Sequence, residues 1–183
     1  MLFVLIAVLI SSPPDHRLFT LHELSSTLSV QRIPEAPNGT SIIIASVSIT
    51  PPNPPQGAKF AAAEILIPAP TERFWTPYIY VSNRNIGKQD PRGDSIAIFE
   101  HVCQGTPSEG LKLVNQVFTG LDQIRGMEIG PAGDKRGGEE YLVAAGFAGT
   151  AGVLVFRRTE GGRNLELVAK NLEIPTRTSF VWL

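Results

Sequence analysis

A single cysteine, Cys103, stands among 183 residues, so neither an internal disulfide nor a cysteine-built zinc cluster can form. As a lone thiol it is expected to be a small buried or half-buried side chain. Three histidines, His16, His22 and His101, are too few for a histidine-rich metal site, and no metal or other cofactor is implied. Basic residues have no surplus: 16 Lys and Arg face 17 Asp and Glu, for a net charge of -1. Nucleic-acid binding is therefore not expected, because neutralising phosphates needs an excess of cations, and the basic residues carry no interleaved aromatics. Long apolar runs are missing too. The longest, residues 2–10, has nine residues, and at about 1.5 Å each these cannot cross a hydrocarbon core of about 30 Å as a helix, so no membrane partner is expected. That run lacks a basic flank and a small-x-small cleavage site. It reads as a β-branched buried strand more than as a signal, which favours a cytoplasmic location and keeps secretion as the alternative. The sequon Asn38-Gly39-Thr40 matters only in that alternative. There is no Gly-x-Ser-x-Gly elbow for a serine nucleophile. Gly146-Phe-Ala-Gly149 and Gly161-Gly162 lack the Lys-Ser/Thr ending and following helix of a phosphate loop.

What is present is a turn-rich globular composition: 43% hydrophobic and 18% charged, with 17 Gly and 15 Pro. It excludes collagen, a coiled coil and a mostly disordered polymer. Three segments repeat one pattern, an alternating apolar strand followed after a short gap by a second. They are Leu18-Phe-Thr-Leu-His-Glu23 with Thr27-Leu-Ser-Val-Gln31, Ile79-Tyr-Val-Ser-Asn-Arg84 with Ser95-Ile-Ala-Ile-Phe99, and Tyr141-Leu-Val-Ala-Ala-Gly146 with Gly152-Val-Leu-Val-Phe156. Their starts lie 61 and 62 residues apart. Further alternating stretches, Leu111–Phe118 and Leu165–Lys170, follow the second and third units. Ala62–Ile67 and Gly126–Gly130 precede them.

Period-2 alternation and Gly, Pro, Asp and Asn turns give about four short strands per unit, with no window showing a helical apolar face. Glu109-Gly110 and Glu160-Gly-Gly-Arg163 sit where outer hairpins need positive φ. The Pro-rich stretch Thr50–Gly57 and the insertion Asn85–Gly93 read as loops, the first a stiff spacer. The fold class expected is all-β: a partial β-propeller of about three four-stranded antiparallel blades. Propellers close with about four to eight blades. A larger propeller, or self-association through open blade edges, is therefore implied.

The strings Leu18–Gln31, Tyr78–Arg84 with Asp94–Phe99, and Gln123–Pro131 with Glu140–Gly146 resemble the seven-bladed lactonase family of propellers. That family includes bacterial-type 6-phosphogluconolactonases and fungal carboxy-cis,cis-muconate cyclases. The Ser-Asn-Arg and His-Glu-Leu-Ser-Ser-Thr strings are the most specific part of the likeness. It runs from about His16 to the C-terminus and corresponds to the C-terminal part of the family's domain, with Thr176–Leu183 similar to its natural ending. Two regions follow: an apolar segment 1–15, a truncated blade or weak signal, and a propeller fragment 16–183.

The resemblance implies a small-molecule substrate, a lactone or its open-chain carboxylate, and a lactone hydrolase or lactonising isomerase. The shortened chain puts that activity in question. The alternative is a non-catalytic propeller fragment that serves as a binding or assembly surface. The cyclases' cluster combines a His, a Glu and two Arg residues. By motif position Glu23 resembles that Glu, a general base or acid, and Arg84 resembles one Arg, a holder of carboxylate or phosphate. These two are the catalytic candidates. Arg125, His22 and Asn83 are candidates for substrate binding, with Asn83 also readable as a turn former. Glu64 is a weaker candidate. The bland alternatives are an Arg84 ion pair with Asp90 or Asp94, Glu23 capping Ser25 and Ser26 in a turn, Glu128 and Asp122 as surface carboxylates, and a solvated His101.

Overall fold

A computed structural model describes residues 16–34, 39–133, 136–149, 152–174 and 179–182. The apolar segment 1–15 and half of Thr176–Leu183 thus fall outside the described residues. Among those described there is no α-helix. Eleven strands run in chain order: β1 (Arg17–His22), β2 (Thr27–Arg32), β3 (Ile42–Ser48), β4 (Phe60–Leu66), β5 (Ile79–Asn85), β6 (Ser95–Val102), β7 (Gly110–Phe118), β8 (Asp122–Ile129), β9 (Tyr141–Ala148), β10 (Gly152–Thr159) and β11 (Asn164–Asn171). They form three antiparallel meanders, β1-β2-β3, β4-β5-β6-β7 and β8-β9-β10-β11.

The repeat is visible in the strands themselves, since β1, β5 and β9 begin at Arg17, Ile79 and Tyr141. Edge strands β4 and β8 pack against each other, while β7 and β11 at the opposite edges barely touch. The sheets therefore fan out like sectors, with β4 and β8 innermost. The repeated strands β5 and β9 come second in each blade. This is three blades of a propeller, the first contributing three strands among the described residues.

Alternation explains how the blades stack. In blade 2, Ile79, Val81, Ala97 and Phe99 join Phe19, Leu21, Leu28 and Val30 of blade 1 in one core. The residues between them, Tyr80, Ile96 and Ile98, join Ile124, Leu142, Leu154 and Phe156 of blade 3 in a second. A sheet covered on both faces has no wet side, so β5 is buried along its whole length, its apolar half Ile79–Val81 in the two cores and its polar half Ser82–Asn85 held by hydrogen bonds. Each large side chain sealed this way contributes about 1.5–3 kcal/mol.

The turns follow local chemistry. Glu160, Gly161 and Gly162 all take positive φ, as expected of that hairpin. At the β6–β7 hairpin, Gly110 does not; Cys103 (φ 54°) and Gly105 (φ 73°) do instead. The turn begins earlier than the Glu109-Gly110 pair suggested, and it leaves Cys103 exposed, not buried. Gly93 must be glycine, because a Cβ there would lie 2.4 Å from the backbone of Gly120. The Pro-rich stretch is a loop as expected. Arg92 holds it, donating to the carbonyls of Pro52 and Asn53 at 3.3 and 3.2 Å.

That earlier turn carries Glu109 inward, where it accepts two hydrogen bonds from Arg17 of β1, at 2.6 and 2.8 Å. His101 is not solvated. Its Nε2 lies 2.8 Å from Glu109 and its ring meets Phe19 edge-on. The Arg17 guanidinium, followed by the Gly105 N–H and His101, draws the Glu109 carboxyl from 4.5 down to about 2. Because the folded value lies below the ordinary one, the stabilisation is present above pH about 4.5 and is lost as pH falls toward about 2. We expect Glu109→Ala to cost about 1.5–3 kcal/mol near neutral pH by removing the charged hydrogen bonds that Glu109 makes with buried Arg17. Urea unfolding should show the two proteins converging as the wild type is acidified through that window. A constant difference would place the cost in packing alone.

Candidate functional site

At the other end of β1, the β1–β2 turn brings Glu23 to the end of β5. Arg84 leaves that strand within the blade 1–blade 2 junction, 5% exposed, and its Nη2 donates to Oε1 of half-buried Glu23. The same nitrogen lies 3.4 Å from the Ala62 carbonyl, and the Ala62 N–H donates to the Glu23 carbonyl at 3.3 Å. Glu23 and Arg84, equivalent positions of neighbouring repeats, thus meet across a blade boundary. The Arg84 Nε is buried with no partner among the described residues, which leaves one donor of the guanidinium outside the pair. Neither Asp90 nor Asp94 takes up Arg84. Asp90 holds Arg92 at 2.7 Å. Asp94 accepts from the N–H groups of Asn85 (2.8 Å) and Ile124 (3.2 Å), tying blade 2 to blade 3.

The other candidates are dispersed. His22 is on the face of β1 that also carries Thr20, opposite Phe19 and Leu21, and shares a 2.9 Å hydrogen bond with Ser29. That face is polar, with Gln31 donating to Thr20 and Ser29. Asn83 lies within β5, not in a turn. It is fully buried and donates to the Ile49 carbonyl at 2.9 Å, joining blade 2 to the chain leaving blade 1. Arg125 is exposed on β8 at a register shift, its guanidinium 5.1 Å from the Phe147 ring centroid. Their described partners are Ser29, Ile49 and Phe147, not the Glu23–Arg84 pair.

Glu64 is half-buried. It lies on innermost strand β4, where the pairing with β5 shifts register between Ala62 and Ile65, and the Ser82 hydroxyl accepts its N–H at 2.9 Å. The bulge interrupts the alternation that sends Ala62 and Ile65 into the blade 1 core. Burial, then repulsion from Glu128 on neighbouring β8, pushes the Glu64 carboxyl up from 4.5 to about 7, against the attraction of Arg84. Glu128 is therefore more than a surface carboxylate. The sequence signal for Glu64 was a single acid inside Ala61-Ala-Ala-Glu-Ile-Leu-Ile67, but the bulge that places it depends on pairing with β5.

A cavity of about 270 Å³ opens at the opposite ends of β4 and β8, lined mainly by apolar groups, with Glu128, Glu139 and Arg158 among them. Arg158 is tied down there, donating to the Tyr80 hydroxyl (3.0 Å) and the Glu139 carbonyl (2.8 Å) and stacking 3.9 Å over Phe74. No group of three His, Cys, Asp or Glu side chains among the described residues is gathered to hold a metal ion. No helix among them is long and apolar enough to cross a membrane.

Because Glu64 has a raised folded value, its protonated form is favoured, and stability falls as pH rises through about 7. Glu64→Gln is expected to match the wild type in urea midpoint below pH about 4.5 and to exceed it above about 7. Parallel curves across that range would show that Glu64 titrates normally.

Comparisons with known proteins agree with this architecture. The family model described as "Lactonase, 7-bladed beta-propeller" matches residues 9–182. No curated protein sequence matches the chain. Among solved structures, a protein from Lactobacillus plantarum is similar at TM-score 0.66 and 21% identity, over 89% of this chain and 40% of its own. The periplasmic gluconolactonase of Pseudomonas aeruginosa is similar at 0.63 and 17%, over 87% of this chain and 37% of its own. A putative 6-phosphogluconolactonase from Bacteroides fragilis is similar at 0.62 and 20%, over 89% and 37%. The chain thus spans about two fifths of the length of these structures.

Proposed function

The chain belongs to the seven-bladed β-propeller lactonase family, and we propose that it binds and turns over a small lactone or the corresponding open-chain carboxylate at the Glu23–Arg84 pair. The observation that carries this reading is the meeting of a buried guanidinium and a half-exposed carboxylate from neighbouring blades. One guanidinium donor there remains outside the pair. A buried Arg is always charged and presents several N–H groups in a fixed plane. It can therefore exchange part of its hold on Glu23 for a carbonyl, carboxylate or phosphate oxygen of a ligand. Charge that builds on a lactone carbonyl oxygen during attack by water is stabilised by such a pre-positioned donor. Glu23, released in part from Arg84, accepts the proton of the attacking water. In the reverse sense the same pair orients a carboxylate for ring closure, so hydrolysis and lactonisation share one site. Two similar structures, a gluconolactonase and a putative 6-phosphogluconolactonase, support a sugar-acid lactone as the first substrate to test.

The test is hydrolysis of 6-phosphogluconolactone, glucono-lactone and a muconolactone by the wild type, Arg84→Ala and Glu23→Gln. Loss of a positioned donor or base is expected to lower kcat/KM by about a hundredfold or more for each variant. Turnover at one background rate by all three proteins would sink the reading. Retained binding of the open-chain carboxylate by the wild type without turnover would instead favour a binding role.

A further inference from the structure

We propose that the cavity at the far ends of β4 and β8 is a second binding site, one that holds a small apolar α-amino acid as its zwitterion. The cavity measures about 270 Å³ and is lined largely by apolar groups, among them Leu66, Ile67 and Ile129. Drug-sized ligands usually occupy about 300–1,000 Å³, so the occupant here is a smaller molecule. Three charged side chains also line the cavity: Glu128, Glu139 and Arg158.

Arg158 is incompletely satisfied. It is 4% exposed, and the partners described for it are uncharged: the Tyr80 hydroxyl, the Glu139 carbonyl and the face of the Phe74 ring. Its Nη2 is buried with no partner among the described residues. A sealed guanidinium is costly when no anion shares its site, and a carboxylate suits it best. A simple anion would still be opposed, because two glutamates share the wall with this one cation.

Glu139 supplies the other half of the recognition. Its Oε2 is also buried with no partner among the described residues, an acceptor in want of a donor. An ammonium group provides that donor with the matching charge. Arg158 donates to the backbone carbonyl of the same Glu139 at 2.8 Å, so the two incompletely bonded side chains belong to residues in direct contact. A ligand must therefore present its anion and its cation close together, as an α-amino acid does, while its side chain covers the apolar wall. The walls are fixed to each other beforehand. Arg73, in the loop after β4, pairs with Glu140, and Arg158 of β10 holds Glu139. Little ordering is then needed on binding. This cavity joins blades 2 and 3, whereas Glu23 and Arg84 join blades 1 and 2.

Isothermal titration calorimetry with L-leucine tests the proposal against three analogues. 4-Methylpentanoate lacks the ammonium, 3-methylbutylamine lacks the carboxylate, and glycine lacks the apolar body. L-Leucine is expected to bind at least about tenfold more tightly than each, since each forfeits a charged hydrogen bond or the apolar contact. Glu139→Gln and Arg158→Gln should each weaken L-leucine binding by about tenfold or more. Arg84→Ala, in the other junction, should leave it unchanged. Cooperative thermal unfolding shows which variants are folded, and if Arg158→Gln is not, Glu139→Gln alone decides. The absence of binding heat at about 10 mM L-leucine, enough to detect millimolar affinity, overturns the proposal. Equal affinity for L-leucine and 4-methylpentanoate overturns the zwitterion. Unchanged L-leucine affinity in Glu139→Gln, or its loss in folded Arg84→Ala, overturns the placement at this cavity.

Discussion

A sheet sandwiched between two others has no wet face, and that constraint governs everything else in this molecule. Blade 2 must present apolar side chains to blade 1 and to blade 3 at once, which it does by sending successive residues of β5 and β6 to opposite cores. Charge can then enter a blade junction only with a counter-charge or a fixed hydrogen-bond partner. Four charged groups described there follow this rule. Arg17 meets Glu109, Arg84 meets Glu23, Asp94 accepts backbone N–H groups, and Arg158 is held by Tyr80 and the Glu139 carbonyl.

The two ion pairs between blades 1 and 2 lie at opposite ends of β1 and differ in a way that separates structure from chemistry. Arg17 and Glu109 are both sealed, bidentate and further bound by His101 and Gly105, so no ligand can compete for them. Arg84 is sealed, but its partner Glu23 is half open to solvent, and one guanidinium nitrogen remains unpaired among the described residues. Only the second arrangement can exchange a protein carboxylate for a ligand oxygen. Glu64, midway along innermost β4, is a third carboxylate of this junction, its protonated form favoured by burial and then by repulsion from Glu128.

Much of the fold was legible because its signals are local. Period-2 alternation and turn residues at Glu160–Gly162 depend on neighbouring residues, and the repeat interval follows from equal blades. The meeting of Glu23 and Arg84 was legible for the same reason: equivalent positions of adjacent repeats must lie at the same height on facing blades. Asn83 and His101 were misread because their roles come from distant partners. Asn83 sits in a strand to hold the Ile49 carbonyl, and His101 is drawn in by Glu109 and Phe19.

The sequence by itself determined the strand period, the repeat and the two residues of the central ion pair, since each is a matter of spacing along the chain. Tertiary structure alone decided that β4 and β8 lie innermost, that Arg17 finds Glu109 across 92 positions, and that the β4–β5 register slips around Glu64. Those outcomes depend on which sheet edges converge and where a ladder skips a residue. Both are settled by packing between blades, which no local pattern of side chains encodes.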